Sequence, residues 1–213
     1  MSGTSPFRVA LTFDAEHPDR PTPPGVTGRI LDGLAAAGVV ATFFVQGRWA
    51  QAEPALARRI VDDGHLVGSH SHHHARLTTL TGAGIASDTR AAETAIVAAT
   101  GRDPRPWYRC PFGAGAGSAR VVDRLASLGY LDVGWHVDSR DWGGPTPAAL
   151  RARVVRGTLA HGDGAVVLLH GWPASTAEAL PGILGDLRAA GATFATVADL
   201  PLLPGRRSTA GGR

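Results

Sequence analysis

The stretch Val9-Ala10-Leu11-Thr12-Phe13-Asp14 is a short, mostly apolar run that ends in a carboxylate. A run of this length is typical of a buried strand. A short apolar run followed by a titratable residue recurs further along the chain, at His70, Arg109, Asp138 and His170. The sequence therefore predicts a series of buried strands, each of which ends in one polar side chain.

Helical patterns fill the segments between these strands, and most of them end at a glycine. The first helix is predicted to begin at Thr27 as N-cap, to bury Ile30, Leu31 and Leu34, and to end at Gly38. Strands that alternate with helices in this way indicate a parallel sheet. We count seven strands and six helices, which favours an α/β fold with a closed or nearly closed barrel. A doubly wound open sheet is the alternative.

Length and composition are those of one globular domain. The chain has 213 residues and 44% apolar content, which suits a single domain with a sizeable core. We expect residues 1–200 to form the barrel and residues 201–213, rich in Pro, Gly and Arg, to form a disordered tail. The 21 basic residues are all arginine and the net charge is only +3. They do not cluster with aromatic residues, so no nucleic-acid partner is expected.

The sequence also bears on where the protein acts. Cys110 is the single cysteine, so no internal disulfide can form. The N-terminus has no apolar signal-peptide core, and no apolar run approaches the roughly 18 residues of a membrane span. We therefore expect a cytoplasmic protein without a membrane partner.

The segment Gly68-Ser69-His70-Ser71-His72-His73-His74-Ala75 carries four of the nine histidines of the chain within five positions. Imidazole is a preferred ligand of zinc, and His70 and His74 can reach one ion if the backbone between them turns once. The alternative is a solvated polar loop without function. The choice between them depends on the other strand ends.

In a parallel barrel the carboxyl ends of all strands open on one face, where active sites are built. Asp14, His70, Arg109, Asp138 and His170 are each predicted at such an end. A structural role is plausible for any one of these residues but not for all five, so this face is the predicted site.

The order of these segments resembles the polysaccharide deacetylase family, carbohydrate esterases that include chitin, peptidoglycan and nodulation-factor deacetylases. The resemblance extends from about residue 7 to residue 200. Five segments resemble the motifs of the family: Thr12–Asp14, His70–His74, Arg109–Gly113, Asp138–Trp142 and Leu168–His170. It implies a distorted (β/α) barrel of about seven parallel strands and metal-assisted hydrolysis of an acetamido group.

The resemblance also implies a role for each matching residue. His70 and His74 would bind one divalent ion, most often zinc, as Lewis acid and activator of water. Asp14 would take the proton of that water, and Arg109 would orient Asp14. His170 would protonate the departing amine.

The remaining roles complete the implied site. Asp138 would hold the other ring nitrogen of His170. The backbone N–H of Phe112 would donate to the oxyanion, a contact worth roughly 3 kcal/mol. Trp142 and Leu168 would enclose the acetyl methyl group.

One position departs from the family pattern. The first motif normally carries two adjacent aspartates, the second of which is a metal ligand, but here Ala15 follows Asp14. Glu16 or His17 reaches the ion instead, or Asp14 itself is a ligand, or the ion binds weakly and the protein is not an efficient enzyme. We favour a site completed by Asp14 or Glu16, whereas at least two of Glu16, His17 and Asp19 are expected to be solvated.

Two functions follow from this comparison. The first is a metal-dependent deacetylase that acts on an amino sugar, an oligosaccharide or a related acylated metabolite. Without a signal peptide, a soluble substrate is favoured over the cell wall. The second is a non-catalytic carbohydrate-binding barrel, in which Ala15 marks the loss of metal chemistry.

Overall fold

A computed structural model of the chain describes residues 6–19 and 23–201. Within these ranges the structure has eight β-strands and seven α-helices. The strands are β1 (Phe7–Ala15), β2 (Thr42–Val45), β3 (Leu66–Ser69), β4 (Trp107–Tyr108), β5 (Leu131–Asp132), β6 (Val137–Asp138), β7 (Ala165–His170) and β8 (Ala192–Phe194). The α-helices are α1 (Val26–Ala37), α2 (Gly47–Ala52), α3 (Pro54–Asp62), α4 (Gly82–Thr100), α5 (Ala119–Ala126), α6 (Pro147–His161) and α7 (Ala174–Ala189). Short 3₁₀ turns lie at Leu77–Thr79, Pro111–Gly113, Asp141–Gly143 and Val197–Asp199.

The strands form one parallel sheet in the order β5-β4-β3-β2-β1-β7-β6, and β8 pairs with the beginning of β1. Strands β5 and β6 lie at opposite ends of this order, yet only residues 133–136 separate them in the chain. A connection this short spans at most about 17 Å, so the two ends of the sheet must approach each other. The sheet is therefore curled into a distorted barrel that is not closed between β5 and β6, as the sequence predicted.

The core lies on both faces of β1, because successive side chains of a strand point to opposite faces. Phe13 and Ala15 are completely or almost completely buried in the main apolar cluster, together with Ile30 and Leu34 of α1. Asp14, between them in sequence, points to the other face. The alternation along β1 thus separates the residues that hold the helices from those that face the barrel interior.

Two predicted elements differ from the structure. Gly25 occupies the N-cap of α1, and the side chain of Thr27 instead donates a hydrogen bond to the carbonyl oxygen of Gly171 at 2.9 Å. The single strand predicted from Leu131 to Val137 is divided into β5 and β6. The carbonyl groups of Val133 and Gly134, between the two parts, accept hydrogen bonds from a buried arginine side chain instead of a strand.

No helix in residues 6–19 and 23–201 is long and apolar enough to cross a bilayer. The tail predicted at residues 201–213 falls, from residue 202 onward, outside the described residues.

Candidate active site

The carboxyl ends of β1, of the adjacent β7 and of β3, on the far side of β2, bring Asp14, His170 and His70 together. Asp14 is paired in register with His170 across β1 and β7, and His70 follows β3 directly. Glu16 lies two positions after Asp14 and is 4% exposed. The alternation along β1 carries Asp14 and Glu16 to one face, whereas Ala15 packs in the core.

The histidine segment is an irregular loop with two unusual backbone conformations. Ser71 and His74 have positive φ angles of 63° and 57°, a region that non-glycine residues rarely adopt. The Ser71 hydroxyl accepts a hydrogen bond from the backbone N–H of His74 at 2.9 Å. This local turn brings His74 back towards His70, and the two ring centroids lie 5.0 Å apart.

Asp88 of α4 anchors the middle of this loop. Its carboxylate accepts hydrogen bonds from the backbone N–H groups of His72 and His73 at 2.8 and 3.1 Å. The side chain of His73 also contacts Asp88, at 2.9 Å. These two histidines therefore hold the loop on α4 and do not join the site. Sequence reasoning missed Asp88, since nothing in the pattern of α4 distinguishes it from a solvent-facing aspartate.

Glu16 lies between the two histidines that were predicted as metal ligands. Its Oε2 atom is 3.1 Å from Nε2 of His70 and 2.6 Å from Nε2 of His74. Nδ1 of His70 lies 2.9 Å from the carbonyl oxygen of Arg109. Because a carbonyl oxygen only accepts hydrogen bonds, Nδ1 carries a proton, and Nε2 is the ring nitrogen that would bind an ion after losing its own proton.

The electrostatics of this cluster follow from burial and from close contacts. Burial opposes ionisation of Glu16, but hydrogen bonds from His17, His70 and His74 keep the pKa of Glu16 well below its ordinary value. Burial also opposes charge on His70, yet Asp14 and Glu16 raise its pKa. For His74, burial prevails and lowers the pKa. The cluster thus presents an ionised carboxylate with imidazole nitrogens around it.

Arg109 and Asp14 form a buried ion pair, the contact that the family resemblance implied. Nη1 of Arg109 lies 2.8 Å from Oδ1 of Asp14, and both side chains are almost fully buried. Arg109 also donates to the carbonyl oxygens of Val133 and Gly134 at 3.1 and 3.3 Å. The same guanidinium therefore orients Asp14 and binds the segment that connects β5 to β6.

The prediction that Asp138 contacts His170 is wrong, because Asp141 is the aspartate that binds this histidine. Oδ1 of Asp141 lies 2.7 Å from Nδ1 of His170, and Oδ2 accepts from the backbone N–H of His170 at 2.8 Å. Asp138 is half-exposed, and its Oδ1 accepts the backbone N–H of Arg140 at 2.9 Å. Arg140 adopts a φ angle of 52°, and this turn directs Asp141 back to β7. The segment contains two aspartates three positions apart, and their spacing alone did not show which one reaches the histidine.

Asp141 is fully buried, and both of its carboxylate oxygens have hydrogen-bond partners. Besides His170, the hydroxyl of Thr176 donates to Oδ2 of Asp141 at 2.7 Å. Burial by itself would lower the pKa of His170, but the hydrogen bond and the charge of Asp141 outweigh it and raise that pKa to about 9. Nε2 of His170 faces Glu16 at 3.8 Å, so a protonated His170 points into the site.

The predicted substrate-contacting residues lie at different depths. Phe112 is 55% exposed, and its ring contacts that of His74 with centroids 4.5 Å apart. Trp142 is 56% exposed and lines a cleft of about 390 Å³ beside Asp141. Leu168 is buried on the face of β7 that carries His170, and it does not line this cleft.

The loop after β1 contains both site residues and solvated residues. Nε2 of His17 is 3.0 Å from Oε1 of Glu16, so both residues belong to the cluster. Asp19 is exposed and pairs with Arg48 at 2.7 Å. The expectation that at least two of Glu16, His17 and Asp19 are solvated is therefore wrong, because only Asp19 is largely exposed.

The donor set fits a divalent metal ion. Nε2 of His70 and Nε2 of His74 both lie within 3.1 Å of Oε2 of Glu16, whereas the donor atoms that all lie within 4.8 Å of one another are those of Glu16, His17 and His74, a group that His70 does not join. Two histidines and one carboxylate are a known ligand set of catalytic zinc, which keeps further positions open. Asp14 is held by Arg109, and its Oδ2 is 3.6 Å from Nε2 of His70, so Glu16 is placed better than Asp14 to complete the set.

The sequence of the chain is similar to those of known deacetylases. The sequence profile of the family described as polysaccharide deacetylase matches residues 2–133. The peptidoglycan-N-acetylmuramic acid deacetylase of Bacillus subtilis strain 168 is 32% identical over 200 residues, which cover 94% of this chain and 73% of that protein.

Two solved structures are also similar. A family 4 carbohydrate esterase from Streptomyces lividans, in complex with acetate, is 34% identical with a TM-score of 0.78 and covers 88% of this chain and 91% of that chain. A CE4 family pseudoenzyme from Bacillus anthracis is 31% identical with a TM-score of 0.82 and covers 92% of this chain and 66% of that chain.

Proposed function

Because the chain belongs to the polysaccharide deacetylase family, a family of amide-cleaving hydrolases, we propose that it is a metal-dependent deacetylase acting on an N-acetylated amino sugar or oligosaccharide. The single observation that carries this proposal is the position of Glu16. Its Oε2 lies within 3.1 Å of Nε2 of both His70 and His74. Glu16 thus supplies the carboxylate that Ala15 cannot provide.

His70, His74 and Glu16 would hold the ion, and zinc is the ion that this set would favour. When bound, such an ion would supply a Lewis acid for the substrate carbonyl and would lower the pKa of a coordinated water. Asp14 then acts as general base and accepts the proton of the attacking water. Its second oxygen is occupied by Arg109 at 2.8 Å, which fixes the orientation of the carboxylate.

His170 acts as general acid and donates a proton from Nε2 to the departing amine. Asp141 holds Nδ1 of the same ring at 2.7 Å and favours the imidazolium, so the proton is available at neutral pH. The backbone N–H of Phe112 is the proposed additional donor to the oxyanion. Trp142 lies at the mouth, where an exposed indole can pack on a sugar ring.

The alternative is a non-catalytic carbohydrate-binding barrel, and the similarity to the Bacillus anthracis pseudoenzyme gives it support. A binding protein has no need of a buried imidazolium, however, and the His170–Asp141 pair is almost completely buried. An unused charge pair of this kind is often neutral or unfavourable for stability. Its presence favours the enzyme.

The test is release of acetate from N-acetylated chito-oligosaccharides by the purified protein. We expect release that a chelator abolishes and added zinc restores. Absence of release with any divalent metal, together with retained binding of the oligosaccharide, would support the binding protein instead.

A further inference from the structure

The two oxygens of Glu16 face different partners. Oε2 contacts the histidines of the proposed metal site, whereas Oε1 lies 3.0 Å from Nε2 of His17 and 3.4 Å from Nε1 of Trp172. An indole N–H can only donate, and an ionised carboxylate can only accept. We propose that His17 and Trp172 form a clamp on Oε1, which fixes Glu16 as a ligand through Oε2 and so compensates for the aspartate absent at position 15. This inference rests on the proposed metal site.

A glutamate in this place needs more support than an aspartate would. It has one more rotatable bond, and Glu16 lies just beyond the end of β1, where sheet pairing no longer fixes the backbone. Both clamp residues carry rigid rings with only two side-chain torsions. Two N–H groups on one oxygen select a single rotamer of Glu16, and outer partners of this kind orient metal ligands in known sites.

His17 is held in a strained conformation. Its φ angle is 59°, and its backbone N–H donates to the side-chain oxygen of Gln46 at 2.9 Å. Gln46 is itself buried and tied by its own backbone N–H to the carbonyl of Ala15 at 2.9 Å. A strained residue persists only where its neighbours enforce it, and such residues concentrate at functional sites. The neighbours of His17 enforce a conformation that aims its ring at Glu16.

Trp172 approaches the same oxygen from a different loop. The backbone N–H of Gly171 donates to the carbonyl of Asp14 at 2.9 Å, and Thr27 binds the carbonyl of Gly171. Pro173 follows and restricts the backbone of Trp172 to extended conformations. The loops after β1 and β7 are therefore fixed to each other, and each provides one donor.

The competing role for His17 is direct coordination of the ion, since its Nε2 lies within 4.8 Å of the donor atoms of Glu16 and His74. The arrangement around Glu16 favours the clamp. Both His70 and His74 contact Oε2, and His17 contacts Oε1. Oε2 thus faces the proposed ligands, whereas Oε1 faces the two clamp residues and, at 3.8 Å, Nε2 of His170.

The test measures zinc affinity of the full chain by competition with a chromophoric chelator, without substrate. We expect His17→Ala and Trp172→Phe each to weaken zinc binding about 10- to 100-fold. His17→Gln, whose amide N–H can reach Oε1, should recover most of the loss. His161→Ala, an exposed histidine at the end of α6, is the matched control and should bind zinc like the unmodified protein.

The absorption spectrum of the cobalt-loaded protein separates the two roles of His17. Under the clamp the ligand set is unchanged, so His17→Ala keeps the band positions and intensities. A spectrum that indicates loss of one nitrogen ligand makes His17 a ligand and overturns the clamp, as does unaltered zinc affinity in both variants. Unmodified protein that binds zinc but releases no acetate refutes the deacetylase and leaves the clamp standing, whereas failure of the unmodified protein to bind zinc refutes both.

Discussion

Replacement of Asp141 by asparagine should lower the pKa of His170, because the substitution keeps the size of the side chain and removes its negative charge. The carboxylate lies 2.7 Å from Nδ1 of His170 and is fully buried. Burial alone disfavours the imidazolium, and the partnership with Asp141 is the largest influence that raises the pKa to about 9. In the Asp141→Asn variant we expect this pKa to fall to its ordinary value of 6.5 or below.

The size and sign of the effect follow from these values. A rise from 6.5 to about 9 corresponds to a preference of roughly 3 kcal/mol for the imidazolium in the folded protein. Because the folded pKa is above the unfolded one, this contribution to stability is complete below about pH 6.5 and is lost as the pH rises through about 9. The difference in free energy of unfolding between the unmodified protein and the variant should therefore narrow as the pH rises from 6.5 to 9.

The direct assay is an NMR titration of the His170 ring in metal-free protein, with denaturant unfolding at several pH values as the second measurement. Asp138→Asn is the matched control, since Asp138 lies in the same segment but contacts Arg140 and not His170. A pKa near 9 in the Asp141→Asn variant, or an equal decrease in the Asp138→Asn variant, would refute this account of the general acid.

Four further substitutions test other parts of the site. His170→Ala should leave zinc binding intact and abolish acetate release, whereas His74→Ala should lose both; full zinc content in the latter would show that His74 is not a ligand. Arg109→Met should decrease the free energy of unfolding by about 3–5 kcal/mol, because the buried carboxylate of Asp14 loses its cation. A urea titration measures this decrease, with a substitution of an exposed arginine, Arg8→Met, as control. Equal stability of the two variants would contradict the prediction. Thr176→Val removes one hydrogen bond that helps to keep the pKa of Asp141 low, so the pKa of Asp141 should rise in this variant while Thr176→Ser leaves it unchanged. An NMR titration of the Asp141 carboxyl group in which the two variants agree would count against this role.

The fold could be predicted from the sequence because its signals are local. Short apolar runs, each followed by a polar residue, marked the strands, and glycines marked the ends of helices. Because each of these polar residues ends or follows a strand, Asp14, His70 and His170 were predicted at the carboxyl end of the sheet, where the structure has them. The division of the strand at residues 131–137 could not be predicted, since it depends on Arg109, which binds the carbonyl groups of Val133 and Gly134 from another part of the chain.

The details of the site depend on backbone turns that the sequence does not specify. Ser71, His74 and Arg140 all have positive φ angles although none is glycine. These turns decide that His74 returns to His70 and that Asp141, not Asp138, reaches β7. The position of Glu16 in the site could be predicted from strand alternation alone. Glu16 is two positions after Asp14, and residues two apart in an extended chain point to the same side.

The identity of the carboxylate ligand is the central claim, and a crystal structure of the zinc-loaded protein with anomalous scattering tests it most directly. We predict one zinc ion at about 2.0–2.2 Å from Nε2 of His70, Nε2 of His74 and Oε2 of Glu16. An ion bound by the two histidines and Asp14 with Glu16 turned away, or no ion between these side chains, would contradict it.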